Sequence, residues 1–556
     1  MGVLDPTPPP YDPLTWERLP LPEKARQVCQ AWALQGYGTP ITAYVLYAVK
    51  VAIYIAGWLL SCSFASELGT LSEISSWWLH PEAFQRAILW SMLFEVLGLG
   101  CGSGPLTGRY LPPVGGFLYF LYPGTTKAAL FPKAPIVGGT TRGWFEVVLY
   151  AALLGCFGVV LSAPNISTTA LLPVVALVPA LGLLDKTVFL AARSEHYWIT
   201  AAVMLIAVDF VPGAKIAQAA LWTWAGVSKL NRHFPAVICV MNSNSPFTPF
   251  RGFRRRLYRA YPHDLRPSWI ARGMAHCGAA LELAVPFTLL LGDGGAVTTV
   301  GLILMLVLHV FITSTVPMGV PIEWNVMVVY GAFFLFGEHA AVSIWSMEPL
   351  WLYLPVLVFA VALPLIGNVR PDLVSFLLSM RYYAGNWAYS VWFFRDQAHE
   401  KLARLKKTSG WIYDQLALVY DRRTRVGLVG KVIGFRLMHL HGRAMGELVG
   451  LTLDDPPRYQ WIDGELIAGI ALGWNFGDGH LHNENLLAAI QRQCNFEEGE
   501  LRCVFVESQP LMRPRLAYRI CDAASGEIAR DTIQIDDLVD RQPWDFRWPS
   551  RTMSSL

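Results

Sequence analysis

Apolar runs recur along the first two thirds of the chain, and about 20 apolar residues is what a helix needs to cross the hydrocarbon of a bilayer. Ten segments come close, near 41–63, 86–102, 144–162, 170–190, 197–212, 213–228, 274–292, 296–314, 320–337 and 349–368. The fifth and sixth form one stretch broken by Val211-Pro212-Gly213 and Lys215, and they read equally as a single kinked element. The pattern predicts a polytopic α-helical membrane protein of about ten transmembrane helices.

After Phe394 the pattern changes. The run that begins RYYAGNWAYSVWFF at Arg381 and continues to about 425 is amphipathic and basic, which predicts an interfacial helix leading into a soluble domain. Gly477-Asp478-Gly479 reads as a turn before His480, His482 and Asn483, and a helix should start at Glu484 with Asn483 as its N-cap. LRCVFVES, RLAYRICDA and DTIQIDDL then alternate apolar and polar residues and read as strands of a small antiparallel sheet. The organisation expected is an N-terminal segment 1–40, a transmembrane helical domain 41–394 and a soluble α+β domain 395–556.

Composition supports the membrane reading. Apolar and aromatic residues make up 54% of the chain, charged residues 15%, and mean hydropathy is +0.38. A soluble domain of ordinary composition has roughly 25% charged residues, so a soluble enzyme, a disordered chain and a coiled coil are excluded. Of 44 basic and 41 acidic residues, 21 and 22 lie from Arg395 onward, which marks a boundary there. Nine cysteines at loose spacing, with no CxxC pair, argue against a disulfide framework or structural zinc. The N-terminus has no basic run leading into an apolar one, so no cleaved signal is expected, and Pro6 argues against myristoylation. No nucleic-acid signature is present.

Lys and Arg in short loops set orientation. Arg109, Lys127, Lys133 and Arg142 lie between the second and third segments with no acid, and 229–272 holds nine basic residues against Asp264. The alternate loops carry Glu67, Glu73 and Glu82, or Glu338 and Glu348. Both termini and the C-terminal domain are therefore expected in the cytoplasm of a multi-pass cell-membrane protein. Residues 110–124, rich in proline and glycine, read as re-entrant or interfacial. In 250–273, aromatics interleaved with arginines read as an interfacial helix, with Arg251–Arg259 facing anionic lipid.

Ionisable residues inside apolar segments are costly and mark function or buried pairing. Glu95, Asp185, Lys186, Asp209, Glu282 and His309 are of this kind, with His276 six residues before Glu282. Together they predict a polar interior cavity. Lys229 follows directly on the sixth segment, where desolvation can make a lysine a base, although a lysine so placed also serves as a snorkelling anchor. Gly226 is placed to let another helix approach closely.

AGVSKL at 225–230, Asn244-Ser245-Pro246-Phe247 downstream, His276, Glu282, His309 and YYAGNWA at 382–388 resemble, over about 200–390, the horizontally transferred transmembrane domain family that includes vitamin K-dependent gamma-carboxylase. The resemblance implies Lys229 as the base toward a quinone-type cofactor. It departs from that family in topology, because the carboxylase works on the lumenal side and the charges here place Lys229 on the cytoplasmic one. The whole chain also resembles a family of actinobacterial multipass proteins, which implies no activity.

The reading is therefore a membrane-embedded enzyme acting on a lipophilic substrate or quinone-like cofactor. Its catalytic candidates are Lys229, His276, Glu282 and His309, and Trp224, Gly226 and Asn244 are its cofactor-binding candidates. Two HxH pairs, His439 with His441 and His480 with His482, could complete a metal site if they meet. The alternative is a non-catalytic lipid-handling transporter or cell-envelope scaffold, with membrane lipids as partners.

Overall fold

The computed structural model describes residues 2–104, 107–111, 116–135, 137–316, 321–382 and 385–547. The N-terminal segment holds one amphipathic helix, α1 (Leu21–Gln35). Further helices follow: α2 (Ile41–Cys62), α3 (Pro81–Val96, with its apolar span running on to Ser103), α4 (Trp144–Ser162), α5 (Thr168–Leu184), α6 (Ile199–Ile206), α7 (Val211–Ser228), α8 (Phe234–Asn244), α9 (Trp269–Leu291), α10 (Ala296–Thr313), α11 (Ile322–Ala332) and α12 (Leu350–Val369).

Among the described residues, six of these (α2, α3, α4, α9, α10 and α12) are long and apolar enough to cross a membrane, not the ten expected. The shortfall has local causes. Asp185 leaves the helix at φ −148° and its carboxylate accepts from Thr187 N at 3.1 Å, so the run expected at 170–190 stops at Leu184. α6 has eight residues and, even with the π-helical turn Ser194–Trp198 that leads into it, falls short of the roughly 20 residues a span needs. In α7, Lys215 donates its ammonium to the carbonyls of His339, Ala340 and Val342 at 2.8, 3.1 and 2.6 Å. That helix is buried along most of its length and built from small residues. At Gly226 an added Cβ would lie 2.8 Å from the Leu283 side chain, so α9 packs directly on its backbone.

Two expected interfacial helices take other forms. Residues 251–256 make only one and a half helical turns, followed by the hairpin β1 (Tyr258–Ala260) and β2 (Asp264–Pro267). Arg254 is drawn inward, where it donates to the carbonyls of Leu34, Ser245 and Thr248. The basic stretch from Arg381 enters a sheet instead. Its aromatic and β-branched run Tyr389–Phe394 forms β3 (Tyr389–Arg395), buried throughout except at Arg395, as suits a strand covered on both faces. The strand ends at the residue where charge density rises. Of the 110–124 segment, residues 112–115 lie outside the described residues, and Tyr119 and Phe120 are buried.

The sheet is antiparallel, in the order β4-β3-β5-β6-β7, with β4 (Tyr459–Asp463), β5 (Leu501–Val506), β6 (Arg515–Asp522) and β7 (Gly526–Gln534). Helices α13 (Arg422–Met438), α14 (Met445–Thr452), α15 (Gly464–Leu472) and α16 (Glu484–Cys494) pack around it. The Asn483 side chain caps α16 by accepting from Asn485 N at 3.0 Å.

One apolar core runs from Ile88 and Leu153 in the membrane helices to Leu472, Ile490 and Leu501 in the C-terminal region. The seam between them is tight. Arg109 donates Nε and Nη2 to Gly469 O at 3.0 and 2.8 Å, and Tyr119 Oη donates to Ala471 O at 2.9 Å. A Cβ on Gly469 would fall 1.7 Å from Thr107 O. At the other end α1 lies on α13, with the Trp32 and Phe435 rings 5.4 Å apart and Lys431 Nζ donating to Thr7 O and Tyr37 O at 2.7 and 2.9 Å.

Candidate functional site

A cavity of about 540 Å³ opens beside the first turns of α2 and runs inward between the membrane helices and the C-terminal region. Its walls are chiefly aliphatic and aromatic: Ala43, Leu46 and Tyr47 of α2, Leu428, Val432 and Phe435 of α13, then Phe376, Trp387, Leu466 and Phe476. Outside it, Val45, Val49 and Ile53 of α2 are exposed apolar residues, as a lipid-facing surface requires.

Cys101, Tyr382, Arg436, Asp463, Glu465 and Asn475 also line the cavity, as do Thr39, Thr42, Thr107 and Gln415. Arg436 bridges the carboxylates of Asp463 and Glu465. Burial by itself lowers the Arg436 pKa, but the two carboxylates outweigh it and hold the guanidinium above its ordinary value. Burial raises that of Glu465 despite Arg436.

Behind Tyr382 and Cys101 lies a chain of buried charges. Lys50 of α2 pairs with Glu323 of α11 at 2.9 Å, and the same carboxylate oxygen accepts from Cys101 N at 2.9 Å. Arg193 Nε donates to Glu195 at 2.8 Å, and its Nη1 lies 4.0 Å from Glu95. Its guanidinium stacks over the rings of Trp324, Tyr382 and Phe476 at 5.1, 5.4 and 5.1 Å. Tyr382 Oη donates to Glu195. Buried polar atoms without a hydrogen-bond partner also collect here: Glu95 Oε1, Arg193 Nη2, Glu195 Oε2, Glu323 Oε2 and Trp324 Nε1.

Lys229 is connected to this chain. Its ammonium pairs with Glu282 of α9 and donates to Tyr382 O at 3.2 Å, so one residue joins the lysine to the cavity wall. His309 of α10 is fixed close by. Trp222 Nε1 donates to its Nε2 at 3.0 Å, which leaves the proton on Nδ1 to donate to Asn325 Oδ1 at 2.7 Å. Glu323, Trp324 and Asn325 are consecutive, so one turn of α11 serves the Lys50, Arg193 and His309 contacts together.

The other sequence candidates lie elsewhere. His276 is exposed on α9 and lines a separate basic groove that Lys229 also reaches. Trp224 Nε1 donates to Ala360 O at 2.8 Å, and Gly226 serves helix contact. Asn244 accepts from Tyr37 N at 3.0 Å and donates to Thr315 O at 3.3 Å. These three residues join elements and do not line the large cavity.

The two HxH pairs do not complete a metal site, and no group of three His, Cys, Asp or Glu suited to a metal occurs among the described residues. His439 gives its Nδ1 to Phe435 O at 2.7 Å and stacks near His441, while His482 Nδ1 meets Ser390 Oγ at 2.6 Å. Burial holds His439 and His482 neutral, with pKa values pushed down to about 3. His480 turns to Glu507 at 3.3 Å. The two pairs stand on different elements, and each imidazole is held by its own local partners.

Lys50, Arg193, Glu323 and Tyr382 are not among the sequence candidates for the site, although Tyr382 opens the YYAGNWA motif. Lys50 and Glu323 carried a usable signal, as single charges inside or beside apolar runs, LYAVKVAIY and VPIEWNV.

Fold and site define an integral, multi-pass membrane protein with a sheet-bearing C-terminal region. A model of a family of transmembrane proteins of unknown function, DUF3556, matches residues 1–552, and the chain belongs to that family. No curated protein and no solved structure matches the chain, and no match links it to the gamma-carboxylases.

Proposed function

We propose that the protein binds a lipophilic molecule with a small polar head, of quinone-like class, in the cavity beside α2. The observation that carries this reading is the cavity's lining, which is mostly apolar and includes one buried cluster of charges, Arg436 with Asp463 and Glu465, near Tyr382 and Cys101. An amphiphile entering between α2 and α13 would bury its tail along the walls and bring its head to those groups.

The catalytic form of this reading has Lys229 as a base, with Glu282 holding its proton balance and His309 poised beside it. It is favoured by Tyr382, whose ring lines the cavity while its carbonyl accepts from Lys229. Against it stands the position of Lys229 behind Tyr382, which favours holding or handling a lipid over transforming it. On the same reading, the exposed Arg251, Arg255, Arg256 and Arg259 face anionic lipid, and the sheet-bearing C-terminal region and the basic loops lie on the cytoplasmic side.

Native mass spectrometry with lipid analysis of the full-length protein in mild detergent tests the proposal. Leu428→Trp and Val432→Trp should cut retention of a co-purifying isoprenoid or quinone by more than about tenfold, as expected for a steric cost above about 1.4 kcal/mol. Unchanged lipid content in both folded variants would sink it. Lys229→Gln then divides the two forms. The catalytic form expects the bound molecule to be retained but no longer chemically changed, whereas the handling form expects retention and chemical state both unaltered.

A further inference from the structure

A second concavity, of about 440 Å³, lies on the outer side of Lys229, where α9 begins. Its character is opposite to that of the apolar cavity. Arg232, Arg259, Arg266, Arg272 and Arg443 line it with His276, and Asp540 is the carboxylate at its edge.

Several of these charges are already matched. Lys229 pairs with Glu282, Arg232 with Asp536, and Arg266 with Asp264 at 2.6 Å and Asp540 at 3.9 Å. Arg259, Arg272 and Arg443 have no carboxylate within salt-bridge distance among the described residues.

Arg443 is the decisive one. It is only 2% exposed, yet it meets no acid. Its Nη1 donates to Arg541 O at 2.9 Å, with longer contacts to Leu538 O and Val539 O at 3.4 and 3.5 Å, and its Nε has no hydrogen-bond partner. Burial lowers its pKa to about 10, so it stays charged at neutral pH. A buried guanidinium without a counter-charge is costly, and the groove holds two further unmatched guanidiniums. The surroundings say where the missing anion comes from. Trp269, at the start of α9, is 82% exposed, Phe250 is 76% exposed, and Arg272 sits on the first turn of the same membrane helix. Exposed aromatics beside arginines at a span's end mark the head-group level of a bilayer.

We infer that this groove binds a phosphate-bearing anion, the head group of an anionic lipid in the leaflet that α9 enters. The buried Arg443 lines it together with the exposed Arg259 of β1 and Arg272 of α9. A phosphodiester supplies a negative charge and acceptor oxygens to guanidiniums that meet no carboxylate, and its acyl chains run down the lipid-facing side of α9. The inference is independent of the apolar cavity, because the two sites share no lining residue.

The full-length protein in mild detergent is offered phosphatidylglycerol, phosphatidylcholine or inorganic phosphate, with native mass spectrometry and melting temperature as readouts. The expected result is a retained phosphatidylglycerol adduct, no phosphatidylcholine adduct, and a loss of roughly tenfold in retention for each of Arg259→Gln and Arg272→Gln. Both residues are exposed, so these variants keep the fold even where Arg443→Gln does not. Leu428→Trp should leave this adduct untouched, which separates failure here from failure of the cavity proposal. Stabilisation by inorganic phosphate that depends on Arg259 and Arg272, without a lipid adduct, would support the anion site but assign it to a free anion. Equal retention of both lipids, or retention indifferent to both substitutions, would overturn the inference.

Discussion

His480 and Glu507 show how one contact in the C-terminal region answers to pH. Burial alone lowers the His480 pKa, but the hydrogen bond and charge of Glu507 outweigh it and raise it above 6.5. In return Glu507 is held down at about 2 against its own burial. A raised histidine contributes stability that is complete below its unfolded pKa and is lost as pH rises through the folded one. A depressed glutamate contributes stability that is complete above its unfolded value of 4.5 and is lost as pH falls through about 2. The pair should therefore stabilise most between about pH 4.5 and 6.5. His480→Gln should narrow its melting-temperature deficit as pH climbs toward 9, and a deficit that does not vary with pH would refute this. Arg86 offers a harsher test. It pairs with Glu82 at 2.8 Å and donates to the carbonyls of Ser61, Leu161 and Ala163. Arg86→Ala strands a buried carboxylate and should cost about 3–5 kcal/mol, read as a lowered thermal or denaturant midpoint. At this scale the sequence was informative about which residues mattered and silent about their partners. Lys229 and Glu282 both stood out as charges in apolar surroundings, but which helix faces which is decided by packing across a separation of 53 residues.

The seam between α15 and the segment after α3 governs how the C-terminal region docks. Gly469→Ala forces a Cβ into the backbone of Thr107, an overpacking that should cost about 1–3 kcal/mol. Limited proteolysis should then release C-terminal fragments faster than from the wild type, and unchanged protection would show that the seam gives way freely. Elements with a strong period were legible: α16 and its Asn483 cap, the strands at 501–506 and 515–522, and the six long spans. Elements decided by tertiary context were not. The apolar runs at 170–190 and 197–212 read as spans until Asp185 and the break after Ile206 cut them short. Tyr389–Phe394 looked like part of an amphipathic helix because its strand partners, Asp463 to Gln460 and Leu501 to Val506, lie 60 to 120 residues further on. The cavity was legible only as an expectation that buried charges need a polar interior, since its walls come from α2, α13 and the loops near 376 and 476, remote from one another in sequence.

Across the whole molecule, the sheet and the membrane helices share one core, and this bears on what can be cut away. A fragment of residues 395–547 lacks β3, which lies between β4 and β5, so β4 loses the strand it pairs with among the described residues. Such a fragment should show neither a cooperative melt nor dispersed amide resonances, while one beginning at 385 should recover sheet signal by circular dichroism. A well-folded shorter fragment would show that the strand is dispensable. The contact of α1 with α13 has a reach of its own. The two helices touch through Trp32 and Phe435, and Lys431 holds the carbonyls of Thr7 and Tyr37. Segments that touch in this way are expected on one side of the bilayer, which would make the number of crossings between Gln35 and Arg422 even.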